Sequence, residues 1–148
     1  MVAAPACSDT SCTALGIVRE MPFEAEVPQA VDVTSATLEL CIGSVCDTSR
    51  LLASSGGAAG ERICEDLDSR TPSFPTTCTW SGSQRILKLR TNTVYGGHAG
   101  SDPLVLTAIA AGGARTELLR GTVVYQDTTD DAARGACTDA WAGTFTKQ

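Results

Sequence analysis

Two cysteines, Cys41 and Cys46, stand on either side of IGSV in the stretch LELCIGSVCDTS (38–49). This spacing predicts a β-hairpin whose tight turn is centred on Gly43 and Ser44, because glycine accepts the backbone angles of such a turn. The cysteines then form a non-hydrogen-bonded cross-strand pair with Cα atoms about 4.5 to 5.5 Å apart, a separation that a disulfide spans. The preceding strand alternates, with apolar residues on one face: Ala36, Leu38, Leu40 and Ile42. We therefore expect a disulfide on the outer face of the hairpin.

Two other interpretations of this cysteine pair fit less well. A redox-active pair usually has the spacing Cys-x-x-Cys near a βαβ pattern, and neither occurs around Cys41. A zinc site uses four ligands at short spacings, whereas thirteen residues separate Cys64 from Cys78. A structural bridge is favoured. Closing so small a loop stabilises by only about 2 kcal/mol, so this bridge mainly fixes the register of the hairpin.

Seven cysteines in 148 residues indicate an oxidising compartment. We expect a second bridge from Cys64 to Cys78, closing a loop that carries two prolines between two predicted strands. Two arrangements of the other three cysteines stay open. Either Cys7 pairs with Cys12 and Cys137 is spare, or Cys12 pairs with Cys137 and Cys7 is left to carry a lipid. The second is preferred because it would tie together the first and last strands without leaving a reactive thiol.

Charge and hydropathy restrict the partners and the location. A net charge of -6 argues against binding to nucleic acid or to an anionic membrane surface. The chain has no run of eighteen apolar residues, so no transmembrane segment is expected. The first residues lack a basic and an apolar region, so we expect Met1 to replace a native secretion signal. The predicted location is secreted, periplasmic or on the cell surface.

Cys7 follows AAPA, small residues of the kind that precede the lipidated cysteine of bacterial lipoproteins. This pattern predicts lipidation of Cys7, and hence a lipid anchor in the native precursor. The alternative is the local Cys7–Cys12 bridge described above.

Strand patterns recur along the chain, whereas sustained helical periodicity is absent. FEAEV alternates, with Phe23, Ala25 and Val27 predicted to face inward. A long hairpin is expected about Gly112-Gly113, and a last strand carries Trp141 and Phe145 on one face. Eight or so short strands separated by turns predict an all-β, disulfide-bearing fold of two antiparallel sheets packed as a β-sandwich. We expect residues 1–12 to form a tail or linker and residues 13–148 to form this single domain.

Strand number, the late strand-rich hairpin and the cysteines make residues 13–148 resemble the immunoglobulin-like β-sandwich modules of bacterial secreted proteins and lipoproteins. The Cys, Trp, Cys order of true immunoglobulin domains is not found around Trp80, so the likeness is one of architecture. Such modules serve adhesion, cell-surface scaffolding or ligand binding, and the resemblance implies a role of this kind.

Catalytic patterns are weak in this sequence. GGHAGSD places His98, the only histidine, close to Ser101 and Asp102. The partners of a catalytic triad meet through the fold, and the chain has no Gly-x-Ser-x-Gly elbow. His98 is therefore interpreted as an exposed loop residue, and the protein is not expected to be an enzyme.

Acidic residues give candidate calcium sites, and no other cofactor is expected. Asp127, Asp130 and Asp131 fall on a predicted loop before the last strand, where carboxylate oxygens could hold Ca²⁺. Their spacing does not match an EF-hand loop, and Asp is also an ordinary turn residue, so a solvated turn is favoured. CEDLDS (64–69) is a weaker candidate of the same kind.

Binding is the function that these patterns favour, through loops or an open sheet edge, with another protein or a surface glycan as partner. Tyr95 and His98, in the loop NTVYGGHAGSD, are the candidate contact residues, because an exposed tyrosine offers a flat amphipathic platform. Two alternatives stay open. One is a small-ligand or calcium-dependent binding protein that uses the loop from Asp127 to Asp131. The other is a secreted protease or hydrolase inhibitor that presents the TPSFP loop (71–75) between Cys64 and Cys78.

Overall fold

The computed structural model describes residues 20–52, 61–64, 76–92, 98–127 and 141–148. These ranges contain strands and no helix, which confirms the predicted all-β class. The strands are β1 (Glu20–Glu26), β2 (Thr37–Ile42), β3 (Val45–Arg50), β4 (Glu61–Ile63), β5 (Thr76–Ser81), β6 (Ile86–Asn92), β7 (Ser101–Ile109), β8 (Arg115–Asp127) and β9 (Trp141–Lys147).

The strands form two antiparallel sheets. The four-stranded sheet has the order β1-β6-β5-β4, and the five-stranded sheet has the order β3-β2-β7-β8-β9. Their inner faces share one hydrophobic core, in which Met21, Leu87, Leu104, Leu106 and Val123 are almost completely buried. The predicted two-sheet antiparallel sandwich is therefore confirmed.

β1 shows how the two-residue period of the sequence becomes two faces. Phe23, Ala25 and Val27 are buried, as the alternation predicted. The intervening residues, including Pro22 and Glu24, are exposed. Among the described strands β1 pairs with β6 alone, so it forms one edge of the four-stranded sheet.

The β2–β3 hairpin has the register that the sequence predicted. Ile42 pairs with Val45 and Cys41 with Cys46, and a disulfide joins the two cysteines. Their Cα atoms are 4.0 Å apart. Gly43 has a φ of 63°, as a first central residue of a two-residue hairpin turn requires. Cys46 is exposed and Cys41 half-buried, so this bridge lies on the outer face.

The predicted long hairpin joins β7 to β8, but its turn is wider than a two-residue turn about Gly112-Gly113. The amide of Ala110 donates to the carbonyl of Ala114, and the amide of Gly113 donates to the carbonyl of Ala110, both at 2.8 Å. Gly113 has a φ of 95°. This is the three-residue turn in which a glycine with positive φ follows a type I turn.

The two long sides of the sandwich are closed differently. On one side the chain beyond β3 pairs with β4, since the amide of Leu52 donates to the carbonyl of Ile63 at 2.8 Å. On the other side the rings of Phe23 and Phe145 meet across the sheets, with centroids 5.4 Å apart. Phe145 also packs on Gly121, where a Cβ would lie 2.3 Å from its ring.

The second disulfide joins Cys64 to Cys78, as the sequence analysis expected. The amide of Cys64 donates to the carbonyl of Cys78 at 3.1 Å, so the two cysteines face each other across neighbouring strands. Cys78 is buried in the core. This bridge therefore points inward, opposite to the orientation of Cys41–Cys46.

Arg85 fixes the connection between β1 and β2. Its guanidinium donates to the carbonyls of Val27, Pro28 and Val31, at 3.2, 2.8 and 2.7 Å. Its Cζ atom also lies 5.6 Å from the centroid of the Trp80 ring, a cation–π contact. Arg85 has a φ of 55°, which is unusual for a residue other than glycine.

Candidate functional site

A polar network closes one end of the sandwich. Asp102 is the second residue of β7, and Tyr125 lies near the end of β8 on the same inner face. The Tyr125 hydroxyl donates to Asp102 Oδ2 at 3.0 Å, and His98 Nε2 lies 2.7 Å from the same oxygen. The ring of His98 packs on the ring of Tyr125 with centroids 4.9 Å apart. His98 thus has an ordered partner, which the sequence analysis did not foresee.

Both ring nitrogens of His98 face oxygen acceptors. Nδ1 is 2.8 Å from the carbonyl oxygen of Ala99, and Nε2 faces the carboxylate of Asp102. Only the imidazolium ion can donate at both positions, so the hydrogen bond to Ala99 and then that to Asp102 raise the pKa of His98. Burial, followed by the hydrogen bond to Asp102, raises the pKa of Tyr125.

This network touches the turn of the β2–β3 hairpin. The amide of Gly43 donates to the carbonyl of Pro103 at 2.9 Å. A Cβ at Gly43 would lie 3.1 Å from Asp102 Oδ1. The outer disulfide hairpin and the His98 network are therefore parts of one end of the molecule.

A trough runs along the outer face of the four-stranded sheet, with a volume of about 510 Å³. Its exposed side chains come from three neighbouring strands: Pro22 and Glu24 of β1, Lys88 and Arg90 of β6, and Thr77 and Thr79 of β5. The pairing sets their positions, since Lys88 lies opposite Glu24 and Thr79, and Arg90 lies opposite Pro22 and Thr77.

The two cations of the trough are differently engaged. Arg90 forms an ion pair with Glu20 at 3.7 Å, and its side chain is 69% exposed. Lys88 makes no ion pair within 4 Å among the described residues, although Glu24 stands opposite to it. An exposed pair such as Arg90–Glu20 stabilises by at most about 1 kcal/mol, so an incoming anion can displace Glu20.

The sequence-predicted sites have different outcomes. His98 is exposed and joins the network at the end of the sandwich. Asp127 is the last residue of β8, and nothing further is described of its side chain. Several candidates lie outside the described residues: Tyr95, Asp130, Asp131, Cys7, Cys12, Cys137 and the TPSFP loop. Two other large aromatic residues, Trp80 and Tyr125, are buried.

Sequence reasoning missed the trough. Its available signal was the strict alternation of β6, which places Lys88 and Arg90 on one face and Leu87 and Leu89 on the other. The threonines and Pro22 that complete the trough come from strands brought beside β6 by long-range pairing. No pattern in the local sequence predicts that pairing.

Metal-ligating side chains come together at one place in the described part of the chain. Ligand atoms of Glu39, Cys41 and Cys46 lie within 4.8 Å of one another. Because the two sulfurs are joined as a disulfide, they carry no thiolate and do not ligate a metal in this state.

Comparison of the chain with family models, with curated proteins and with solved structures gives no significant match. In the ranges that the structure describes, no helix has the length and apolar character needed to cross a membrane.

Proposed function

We propose that the protein is a non-enzymatic, extracytoplasmic binding module, and that it binds an extended acidic segment of another protein in the trough on the four-stranded sheet. The observation that carries this proposal is the ammonium of Lys88, which forms no ion pair with the described residues, beside Arg90 in a preformed cleft of about 510 Å³. Ligand sites typically have volumes of about 300 to 1,000 Å³.

The order of the strands supports an immunoglobulin-like architecture. In such sandwiches, strands B, E and D are neighbours in one sheet, and C, F and G are neighbours in the other, to which C′ is added beside C. With β1, β6 and β5 as B, E and D, and β3, β2, β7 and β8 as C′, C, F and G, both orders are reproduced. β4 and β9 extend the two sheets, and neither described disulfide joins β1 to β7, the place of the usual bridge.

The chemistry of the trough favours an acidic peptide over a sugar. Lys88 and Arg90 are two residues apart on one face, so their charged groups can meet two carboxylates of an extended chain, whose side chains repeat at the same period. The hydroxyls of Thr77 and Thr79 add hydrogen-bond donors along one wall. Sugars prefer an exposed aromatic platform, and Phe23, the aromatic residue of the lining, is 7% exposed.

Two features support a location outside the cytoplasm and a role without catalysis. Disulfides such as Cys41–Cys46 and Cys64–Cys78 form in an oxidising compartment. His98 has acceptors at both ring nitrogens, so neither nitrogen is free to take a proton from a nucleophile. The proposal keeps Cys7 as the attachment point of a lipid in the native precursor.

An array of extended peptides tests the binding surface. Each peptide carries Asp or Glu at alternate positions, and its matched control carries Asn or Gln there. We expect the protein to bind the acidic members, with an affinity that falls as salt rises because the contacts are ionic. Lys88→Glu/Arg90→Glu should weaken binding at least tenfold.

The matched control is Arg50→Glu/Arg120→Glu, which reverses two exposed cations on β3 and β8 of the other sheet. It should leave binding unchanged. Equal losses in both variants would mean that net charge alone drives binding and would contradict a specific trough. Binding to uronic acid or sialylated glycans, with no binding to peptides, would mean that the ligand of the trough is a glycan and not a peptide.

A further inference from the structure

Three donors of metal-ligating type converge on the outer face of the β2–β3 hairpin. Glu39 and Cys41 are two residues apart on β2 and so share a face, and Cys46 lies directly opposite Cys41 on β3. One carboxylate oxygen and the two sulfurs lie within 4.8 Å of one another. The backbone pairing of the two strands holds this arrangement, with or without the sulfur–sulfur bond.

The Cys41–Cys46 bridge is the accessible one of the two described disulfides. Cys46 is exposed and Cys41 half-buried, whereas Cys78 of the other bridge is buried in the core. Thiol exchange needs access of the attacking thiolate to a sulfur, so a reductant reaches Cys41–Cys46 first. The bridge closes only a six-residue stretch that the Gly43 turn already closes, so its loss leaves the hairpin formed.

Charge balance favours a divalent cation at the reduced site. Two thiolates and the carboxylate of Glu39 carry three negative charges. Arg115, on β8, contacts the carboxylate of Glu39 and contributes one positive charge. A divalent cation therefore brings the cluster to neutrality, while Arg115 orients the carboxylate as the outer partners of metal ligands do.

The ligand types select the metal. Thiolates favour Zn²⁺ over Ca²⁺ or Mg²⁺, which prefer oxygen ligands. Zinc bonds to sulfur at about 2.3 Å and to carboxylate oxygen at about 2.0 to 2.2 Å, so sulfurs about 3.8 Å apart complete a tetrahedral site together with water. Once the bond between them is broken, rotation of the two cysteine side chains reaches that separation.

We propose that reduction of Cys41–Cys46 creates a zinc site formed by Cys41, Cys46 and Glu39, so that the hairpin alternates between a disulfide and a zinc-bound state. A dithiol reductant supplies two electrons and two protons; the sulfur–sulfur bond breaks, two thiols form, and the reductant becomes its own disulfide. Zn²⁺ then displaces both thiol protons. This inference does not depend on the trough.

Zinc retention measures the site directly. The protein is reduced with a phosphine, freed of reductant without oxygen, equilibrated with Zn²⁺ and a chromophoric chelator, and analysed for bound zinc. The same protocol is applied to oxidised protein, to Cys41→Ser/Cys46→Ser and to Glu39→Gln. The double serine variant keeps the other five cysteines, so its zinc content measures their background.

We expect the reduced protein to hold one zinc equivalent more than the reduced double serine variant, and the oxidised protein to lack it. Glu39→Gln should weaken this extra equivalent at least tenfold. Co²⁺ in place of Zn²⁺ should give thiolate-to-metal charge-transfer absorption that the double variant lacks.

Three results would overturn the proposal. Equal zinc in the reduced protein and the double variant would mean that the two cysteines do not bind it. An unchanged zinc affinity in Glu39→Gln would mean that the carboxylate of Glu39 is not a zinc ligand. Loss of the strand signal in circular dichroism in Cys41→Ser/Cys46→Ser, which lacks this bridge but keeps Cys64–Cys78, would remove the preformed hairpin on which the site depends.

Discussion

The two described disulfides both link neighbouring antiparallel segments, but they face opposite ways. In each, the cysteines lie opposite one another on neighbouring antiparallel strands. Cys41–Cys46 lies on the outer face and has a sequence separation of 5, whereas Cys64–Cys78 reaches the core and has a sequence separation of 14. Two cross-strand bridges thus have different roles, according to the face that the register selects.

The inner bridge also lies where the two sheets meet. Leu51, which directly follows β3, pairs with Cys64. The inner bridge therefore links the core to the closed side of the sandwich. The outer bridge joins the two strands of one hairpin, whose turn Gly43 already fixes. Its more important consequence is the zinc site that we propose for its reduced state.

Removing the inner bridge should have the largest effect on stability. Cys64→Ala/Cys78→Ala releases a loop of about 15 residues, which corresponds to about 3 kcal/mol in the free energy of unfolding. Urea denaturation followed by tryptophan fluorescence measures this, since Trp80 lies on the same strand as Cys78. A loss of stability no larger than that caused by removing the outer bridge would contradict the larger contribution expected of the inner bridge.

Removing the outer bridge should cost less. Cys41→Ala/Cys46→Ala opens a loop of six residues, for which the chain-entropy estimate is about 2 kcal/mol. We expect the denaturant midpoint to fall while the denaturant dependence rises slightly, because the unfolded chain becomes less compact. A cost above that of the inner bridge would show that the hairpin needs its disulfide to form.

Gly43→Ala tests the turn that the outer bridge encloses. Its φ of 63° is unfavourable for alanine, and the new Cβ would lie 3.1 Å from Asp102 Oδ1. We expect a loss of about 1 kcal/mol from the backbone alone. Gly112→Ala is the matched control, because it has open space around it and no positive φ. Equal effects of the two substitutions would contradict a conformational requirement at Gly43.

The smallest expected effect is the pH dependence from His98, whose partner Asp102 borders the same turn. Its pKa is raised on folding, so its contribution is fully present below the ordinary histidine pKa and is lost as pH rises through the higher folded value. The wild-type melting temperature should therefore fall between pH 6 and 8 more than that of His98→Gln.

The histidine resonances check this interpretation independently. The single histidine gives one Hε1 signal, and its midpoint of titration should lie above about 6.5. Two results would mean that the contacts of His98 do not favour its charged form. One is a melting temperature that depends on pH in the same way in wild type and in His98→Gln. The other is an ordinary histidine midpoint in the titration of the Hε1 signal.

The sequence predicted those features that depend on neighbours along the chain. The alternation around Leu38 and Leu40 gave the inner face of β2, and the Gly43 turn gave the register of Cys41–Cys46. The alternation in FEAEV likewise predicted the buried face of β1. A period of two residues and a two-residue turn are local, so they need no knowledge of the remaining chain.

Features that depend on distant pairing were not predictable in this way. Asp102 and Tyr125 are 23 residues apart, and they meet because β7 is paired with β8 along the whole of β7. Arg85 reaches carbonyls more than 50 residues away, and no pattern in SQRIL indicates it. The width of the β7–β8 turn was also missed, because Gly112 and Gly113 each fit several turn types.

The edge of β1 that has no partner strand among the described residues affects whether copies of this protein associate edge to edge. Pro22 has no amide to donate, and three glutamates stand along the same seven residues. If two copies paired antiparallel about Phe23, Glu20 of each would lie opposite Glu26 of the other, an arrangement of like charges. We therefore expect this edge to resist fibril-type association even where molecules are displayed side by side at high density.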